Sequence, residues 1–365
     1  HEQHDLSRRM RCERCEGYCQ ATYDLAAARR QLDPSVFRHR YNGLWRFREL
    51  LPVRDESHIV TLAEGGTPLI KSRRIGPSLG VRELYFKDLT RNPTYSFKDY
   101  SSSTSVSKAK EIGIEDIVLM SAGNASSSFA AYCAVAGIRF HALMLSNTFE
   151  AMLVQNLVYG PDAAMIDADS ATAGRIAGEL AQKNGWMNGG VPANPYRVEG
   201  KKAIGYEIAE SLGWRAPGRI VCPTAGGTSI MALDKAFREL RELGWVDGFP
   251  KLDCVQSQTC RPVVDAWSTD APMKPAERPD SVAIGLLAPN PEAGPLLVTT
   301  MRRTGGAGVA VTDDEIRRAQ LTLAQEEGLF VEASSAASLA GLRKMVAAGT
   351  VSGDESVVLM LTGAG

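Results

Sequence analysis

From residue 59 onward the chain alternates short apolar runs with helix-length segments, and that alternation narrows the fold more than any other feature. LYFKD (84–88), IVLM (117–120), RFHALML (139–145), AAMID (163–167), RIVCP (219–223), LDCVQS (252–257) and SVVLMLT (356–362) read as strands, most of them of buried type. A helix is expected after Lys98, through Val106, Ala109 and Ile112 to Gly113, and another over ASSSFAAYCAVAG, stopped at Gly137. Further helices are expected at about 170–184 and 200–213, from near Ile230, from the capping box Thr312–Glu315 to Gly328, and over SSAASLAGLRKMVAAG. Strands separated by helices must cross over and run parallel. The expected class is therefore α/β, with two doubly wound parallel-sheet domains.

In such sheets ligands sit at the carboxyl ends of strands. SAGN (121–124) joins a buried strand to a helix, with Gly123 for a bend and Asn124 offering an amide that both donates and accepts. As a bare pattern it is equally a plain turn. TAGGTS (224–229) is more telling: Ala225, Gly226 and Gly227 lack bulk and precede the hydroxyls of Thr228 and Ser229 at a helix start. Exposed N–H groups, two hydroxyls and a helix dipole suit a phosphate dianion. The loop is neither GxxxxGK nor GxGxxG, which argues against an ATP P-loop and a nicotinamide site. In LTGAG (361–365), Thr362 ends the last apolar strand, where a hydroxyl can meet a pyridine nitrogen without forcing its protonation.

Lys98 lies in NPTYSFKD (92–99), between Phe97 and Asp99, ahead of Ser101-Ser102-Ser103-Thr104. An aromatic neighbour and the positive end of a helix both disfavour an ammonium. The neutral amine that remains is what a Schiff base with an aldehyde requires.

Bulk properties set limits. Lys plus Arg is 41 against 42 for Asp plus Glu, a net charge of −1, which gives no charge-driven nucleic-acid or membrane partner. No apolar run reaches the ~18 residues of a membrane span, and HEQHDLSRRM has no apolar secretion core. Seven cysteines, an odd number, fit a reducing cytoplasm. Cys12, Cys15 and Cys19 offer three ligands to a zinc that wants four; a fourth would come from His1, His4 or a distant residue, and three reduced thiols with no metal is the favoured reading. Residues 1–58 read as an extension, with LWRFRELLP (44–52) a short amphipathic helix closed by Pro52, and residues 268–294 are Pro-rich without a clear element.

SFKD, SAGN, TAGGTS and LTG stand in the order and spacing that resembles the pyridoxal-phosphate enzymes of the tryptophan-synthase β-subunit type, and within them the threonine synthases. LWRFRELLP, TLAEGGTPLI, NPYRVEGKKAIGYEIAE (194–210), VTDDEIRRAQ and EASSAASLAGL (332–342) resemble family segments too, and RCERCEGYC resembles the second knuckle of a ribbon-like start. The resemblance implies PLP fold type II, with the cofactor in the cleft between the two domains. It implies a smaller inserted domain at about 100–200 and a larger one from 59–99 plus 201–365.

By matching position it makes Lys98 the Schiff-base lysine and proton carrier. Asn124 would bond the cofactor's phenolic oxygen, Ala225 through Ser229 would hold its phosphate, and Thr362 would face its pyridine nitrogen. Lys87, Thr94, Ser96, Ser121, Ser126 and Arg197 become candidates for binding the amino-acid substrate, Arg197 being suited to bidentate phosphate contact. The implied reaction removes phosphate from O-phosphohomoserine and adds water. Alternatives are β-replacement or β-elimination on phosphoserine or serine, as in a cysteate synthase or a dehydratase, or a non-catalytic protein of this fold. A homodimer is implied by analogy. The chain departs from the family at Tyr95, usually Gly; at Tyr100-Ser101, usually Arg-Gly; at Ala333, usually Pro; and at Ala364, usually His. Tyr95 adds a ring near the reacting carbons or redirects the loop. It predicts poor turnover of phosphohomoserine, improved in Tyr95→Gly.

Overall fold

The structure, a computed structural model, describes residues 19–365 apart from Asn147, Pro192 and Ala193. His1, His4, Cys12 and Cys15 therefore lie outside the described residues. In chain order the first elements are α1 (Leu25–Gln31), β1 (Leu69–Lys71), α2 (Ile75–Ser78), β2 (Glu83–Asp88), α3 (Lys98–Glu111) and β3 (Asp116–Met120). Next come α4 (Asn124–Ala136), β4 (Arg139–Leu145), α5 (Glu150–Leu157), β5 (Asp162–Ile166), α6 (Ser170–Asn184), β6 (Met187–Asn188) and α7 (Tyr196–Ser211). The rest are β7 (Arg219–Pro223), α8 (Thr228–Leu243), β8 (Lys251–Ser257), α9 (Pro262–Thr269), α10 (Gly294–Thr304), β9 (Gly308–Val311), α11 (Asp313–Glu327), α12 (Ala333–Ala347) and β10 (Ser356–Leu361).

The chain divides into two compact units. The first takes in the described residues up to Tyr23, then 43–64 and 98–200; the second holds 24–42, 65–97 and 201–365. The first unit carries a four-stranded parallel sheet in the order β5-β4-β3-β6. The second carries a six-stranded sheet in the order β1-β2-β10-β7-β8-β9. Its strands are parallel except β1, which pairs antiparallel with β2. The Gly/Pro turn at 64–69 delivers β1 as a three-residue edge, too short to show in the sequence pattern.

The core of the first unit packs Val106, Ile117, Leu119, Phe129, Phe140 and Met187 around its sheet. In the second, Leu84, Phe86, Val221, Val255, Val357 and Leu359 meet Leu323, Leu339 and Leu342 from α11 and α12. The capping box opens α11 with both of its bonds, and Gly137 and Gly328 close α4 and α11 at φ +70° and +71°.

Several boundaries differ from expectation for local reasons. The 44–52 segment is a 3-10 helix, Leu44–Leu50, broken at Phe47. α7 starts at Tyr196 rather than near 200, because Asn194 Oδ1 accepts the Tyr196 N–H at 3.0 Å and Pro195 fixes the entry. α8 starts at Thr228, ahead of Ile230. The Pro-rich stretch contains one short 3-10 turn, Ile284–Leu286, before α10.

α3 is a buried helix made largely of hydroxyls: Ser101 through Ser105 and Ser107 are all inaccessible. Such a helix is tolerated because its hydroxyls find partners. Ser101 Oγ and Thr104 Oγ1 donate back to the carbonyls of Lys98 and Tyr100, at 2.9 and 3.0 Å. Ser103 Oγ donates to Val60 O at 2.8 Å, and Ser107 Oγ accepts the Val60 N–H at 2.8 Å. Small side chains also let α7 approach: a Cβ on Gly200 would fall 1.9 Å from Tyr100 O.

Candidate active site

Within the first unit, Lys98 is the first residue of α3 and is half-buried, with Asp99 and Tyr100 fully buried behind it. Asp99 Oδ1 accepts Ser128 Oγ from α4 at 2.6 Å, and Ser128 also reaches Ser102 at 2.7 Å, so the start of α3 is fastened to α4. The β3–α4 loop brings Ser121, Asn124 and Ser126 together on one short segment. Gly123 is the N-cap and Asn124 the first helical residue, half-buried. Ser121 N–H donates to Leu143 O at 3.1 Å.

Asn156 of α5 holds this loop, donating from Nδ2 to Ala122 O at 2.9 Å and to Met152 O at 2.7 Å. Sequence reasoning missed it; one Asn inside the amphipathic run EAMLVQNL was the available signal.

Several buried side-chain atoms of this unit lack hydrogen-bond partners among the described residues, His58 Nδ1 and Asn156 Oδ1 among them; two such atoms belong to predicted site residues, Ser126 Oγ and Arg197 Nε. Arg197 is 4% exposed, and its Nη1 donates to Gly189 O at 2.9 Å. Its guanidinium lies 5.7 Å from the Phe129 ring, and burial lowers its pKa to about 10, so it stays charged near neutral pH. A buried cation with an unused donor is a standing demand for an anion.

In the second unit the predicted 225–229 segment is the turn from β7 into α8. Thr224 N–H donates to Val255 O at 2.8 Å, fixing the strand end. Gly227 caps the helix at φ +78°, and a Cβ there would fall 1.9 Å from Leu297 Cδ1, so the turn admits only glycine. Thr228 and Ser229 occupy the first turn of α8, where N–H groups have no helical partners. These donors and the bare turn fit a phosphate group.

Thr362 follows β10 and is buried. Its Oγ1 lies 3.0 Å from Ser335 Oγ and donates to Glu332 Oε1 at 3.4 Å. Its carbonyl accepts the Phe97 N–H at 2.9 Å, and Ser96 bridges Gly363, so the end of β10 is stitched to the segment leading to Lys98. Ser335 and Glu332 were also missed; both stand in EASSAASLAGL, where only their spacing from Thr362 in space marks them.

Lys87 is fully buried on β2, with Nζ 2.6 Å from both Thr67 O and Glu207 Oε2. Glu207 also accepts the N–H groups of Gly66 and Thr67, so the ion pair pins the 66–67 turn to α7. Thr94 and Ser96 are buried and Tyr95 between them is 64% exposed. Tyr95 has φ +61°, the left-handed region that glycine favours, and its carbonyl accepts the Ala364 N–H at 2.9 Å. Tyr95 and Ala364, both singled out in the sequence, are thus hydrogen-bonded neighbours.

Lys98 heads a helix of the first unit, while the 225–229 turn and Thr362 belong to the second. Residues 60–363 match the family model described as "Pyridoxal-phosphate dependent enzyme", and the chain belongs to that family, with pyridoxal 5'-phosphate as its cofactor and fold type II as its architecture. Among curated relatives it is similar to the threonine synthase of Methanocaldococcus jannaschii, 36% identical across 97% of this chain and 87% of that one. The threonine synthase of Methanosarcina acetivorans is 37% identical across 96% and 86%. Among solved structures, the processed form of threonine deaminase isoform 2 from Solanum lycopersicum superposes with a TM-score of 0.70 at 20% identity, covering 82% of this chain and 79% of that one. At that identity the likeness speaks for the fold.

Proposed function

We propose that this enzyme eliminates phosphate from a phosphorylated amino acid and adds water, converting O-phosphohomoserine to threonine. The observation that carries the phosphorylated substrate is Arg197, a buried guanidinium with an Nε that no described group uses. Similarity to threonine synthases over nearly the whole chain supports the same reading.

When bound, pyridoxal phosphate supplies an aldehyde for an amine and a conjugated ring that accepts the electron pair left at a substrate carbon. Lys98 would hold the cofactor, and its free amine would carry protons at the substrate's α- and β-carbons. Ala225 through Ser229 would hold the cofactor phosphate, Asn124 would orient the phenolic oxygen, and Thr362 would offer the ring nitrogen a neutral hydroxyl. Arg197 neutralises the departing phosphate, with Ser126 Oγ a further donor and Thr94, Ser96 and Ser121 nearby in sequence to the two loops. Lys87, locked to Glu207, acts by holding the 66–67 turn. The reading includes a homodimer in the cytoplasm.

Tyr95 favours a second reading, replacement or elimination on a shorter substrate of the phosphoserine type, because a ring stands at a left-handed position where the family resemblance implies glycine. One experiment separates the readings. Borohydride-reduced protein is digested and the labelled peptide sequenced by mass spectrometry, and turnover is followed with O-phosphohomoserine, O-phosphoserine and serine. Label on Lys98 with equimolar threonine and phosphate supports the first reading. Turnover of the shorter substrates, with phosphohomoserine used well only by Tyr95→Gly, replaces it with the second. An unlabelled Lys98 peptide defeats both.

A further inference from the structure

α7 brings a lysine to the phosphate turn that the roles above do not use. Lys201 is 1% exposed, and its Nζ donates to Thr228 Oγ1, the first residue of α8, at 2.6 Å. The same Nζ lies 4.8 Å from the centre of the Phe97 ring, the residue immediately before Lys98. Fully buried lysines are rare. An ammonium beside a helix N-terminus is also a like-sign arrangement, since that end carries partial positive charge. A dianion seated between the two relieves it and is met from both sides. The aromatic face of Phe97 also meets the ammonium.

We propose that Lys201 is a ligand of the cofactor phosphate, adding a full positive charge to a turn whose own residues, Ala225 through Ser229, are all neutral. The inference rests on that turn being the phosphate site. Two consequences follow. Affinity gained through Lys201 appears only for a phosphorylated ligand. The bound phosphate also stays dianionic to lower pH than a free phosphate monoester, whose second pKa is about 6.

The test titrates full-length apoprotein with pyridoxal phosphate and with pyridoxal, which lacks the phosphate, following the visible band. Lys201→Gln and Thr228→Val are compared with wild type. Lys201→Gln is expected to bind pyridoxal phosphate roughly 10- to 100-fold more weakly, as for loss of a charged hydrogen bond, with pyridoxal affinity unchanged. Phosphorus NMR of the wild-type holoenzyme gives a readout that needs no variant: the bound phosphate should titrate below the free value. Equal loss for both ligands means a structural lysine and overturns the proposal. So does a bound phosphate that titrates like the free one. If wild type does not prefer pyridoxal phosphate over pyridoxal, and Thr228→Val changes neither affinity, the turn itself is misassigned. If Thr228→Val discriminates and Lys201→Gln does not, only the lysine is.

Discussion

Replacing Arg197 with Met sets function against stability at a single position. Burial lowers the guanidinium pKa from 12.5 to about 10. Holding the charge there corresponds to a penalty of roughly 3 kcal/mol, at 1.36 kcal/mol per tenfold. Opposing it are the 2.9 Å bond to Gly189 O and the cation over Phe129. A hydrogen bond from a charged donor contributes about 1.5–3 kcal/mol and a cation–π contact about 1. The opposed terms nearly cancel, so Arg197→Met should unfold in urea within about 2 kcal/mol of wild type.

The sign with pH follows from the lowered value. The penalty is fully present at every pH below about 10 and is relieved only above it, so the comparison is flat near neutrality. Activity should behave differently. A lost charge-assisted contact to a leaving phosphate lowers kcat/KM by roughly 10- to 150-fold. Phosphate release measured across O-phosphohomoserine concentrations reads this directly. A variant with wild-type kcat/KM, or one destabilised by more than about 4 kcal/mol as when a buried pair is broken, refutes the reasoning.

Gly200→Ala places a Cβ 1.9 Å from Tyr100 O and 2.5 Å from Thr104 Oγ1, between α3 and α7. It should cost at least about 3 kcal/mol, and an unchanged thermal midpoint would contradict the close packing. Asp116 is held at about 2, chiefly by its bond to the Arg139 guanidinium and then by His141. Its contribution is present above pH 3.8 and lost as pH falls through about 2, so Asp116→Asn should flatten acid destabilisation in that window, read by far-ultraviolet circular dichroism.

Strand and helix alternation was legible because buried parallel strands are apolar on both faces, and IVLM and RIVCP became β3 and β7. The capping box at Thr312 was equally legible, since both of its bonds are local. β1 and β9 escaped because three and four residues, one run starting at Gly308, carry too little pattern. Lys98 and the Gly227 turn could be singled out from residue type and neighbours. Lys201 could not: its burial and its reach to Thr228 arise from the packing of α7 against the start of α8, which residue type and neighbours do not show. The link from Tyr95 to Ala364 is likewise a product of tertiary pairing, although both positions were conspicuous separately.

The order of the six-stranded sheet also dictates when this enzyme can come into being. β10, the last described strand in sequence, lies between β2 and β7. A nascent chain lacking it holds two sheet fragments with an open seam, and the seam is where Thr362 meets Phe97. Catalytic competence therefore waits on the synthesis of β10, and a product terminated before that strand exposes raw strand edges to chaperones and proteases.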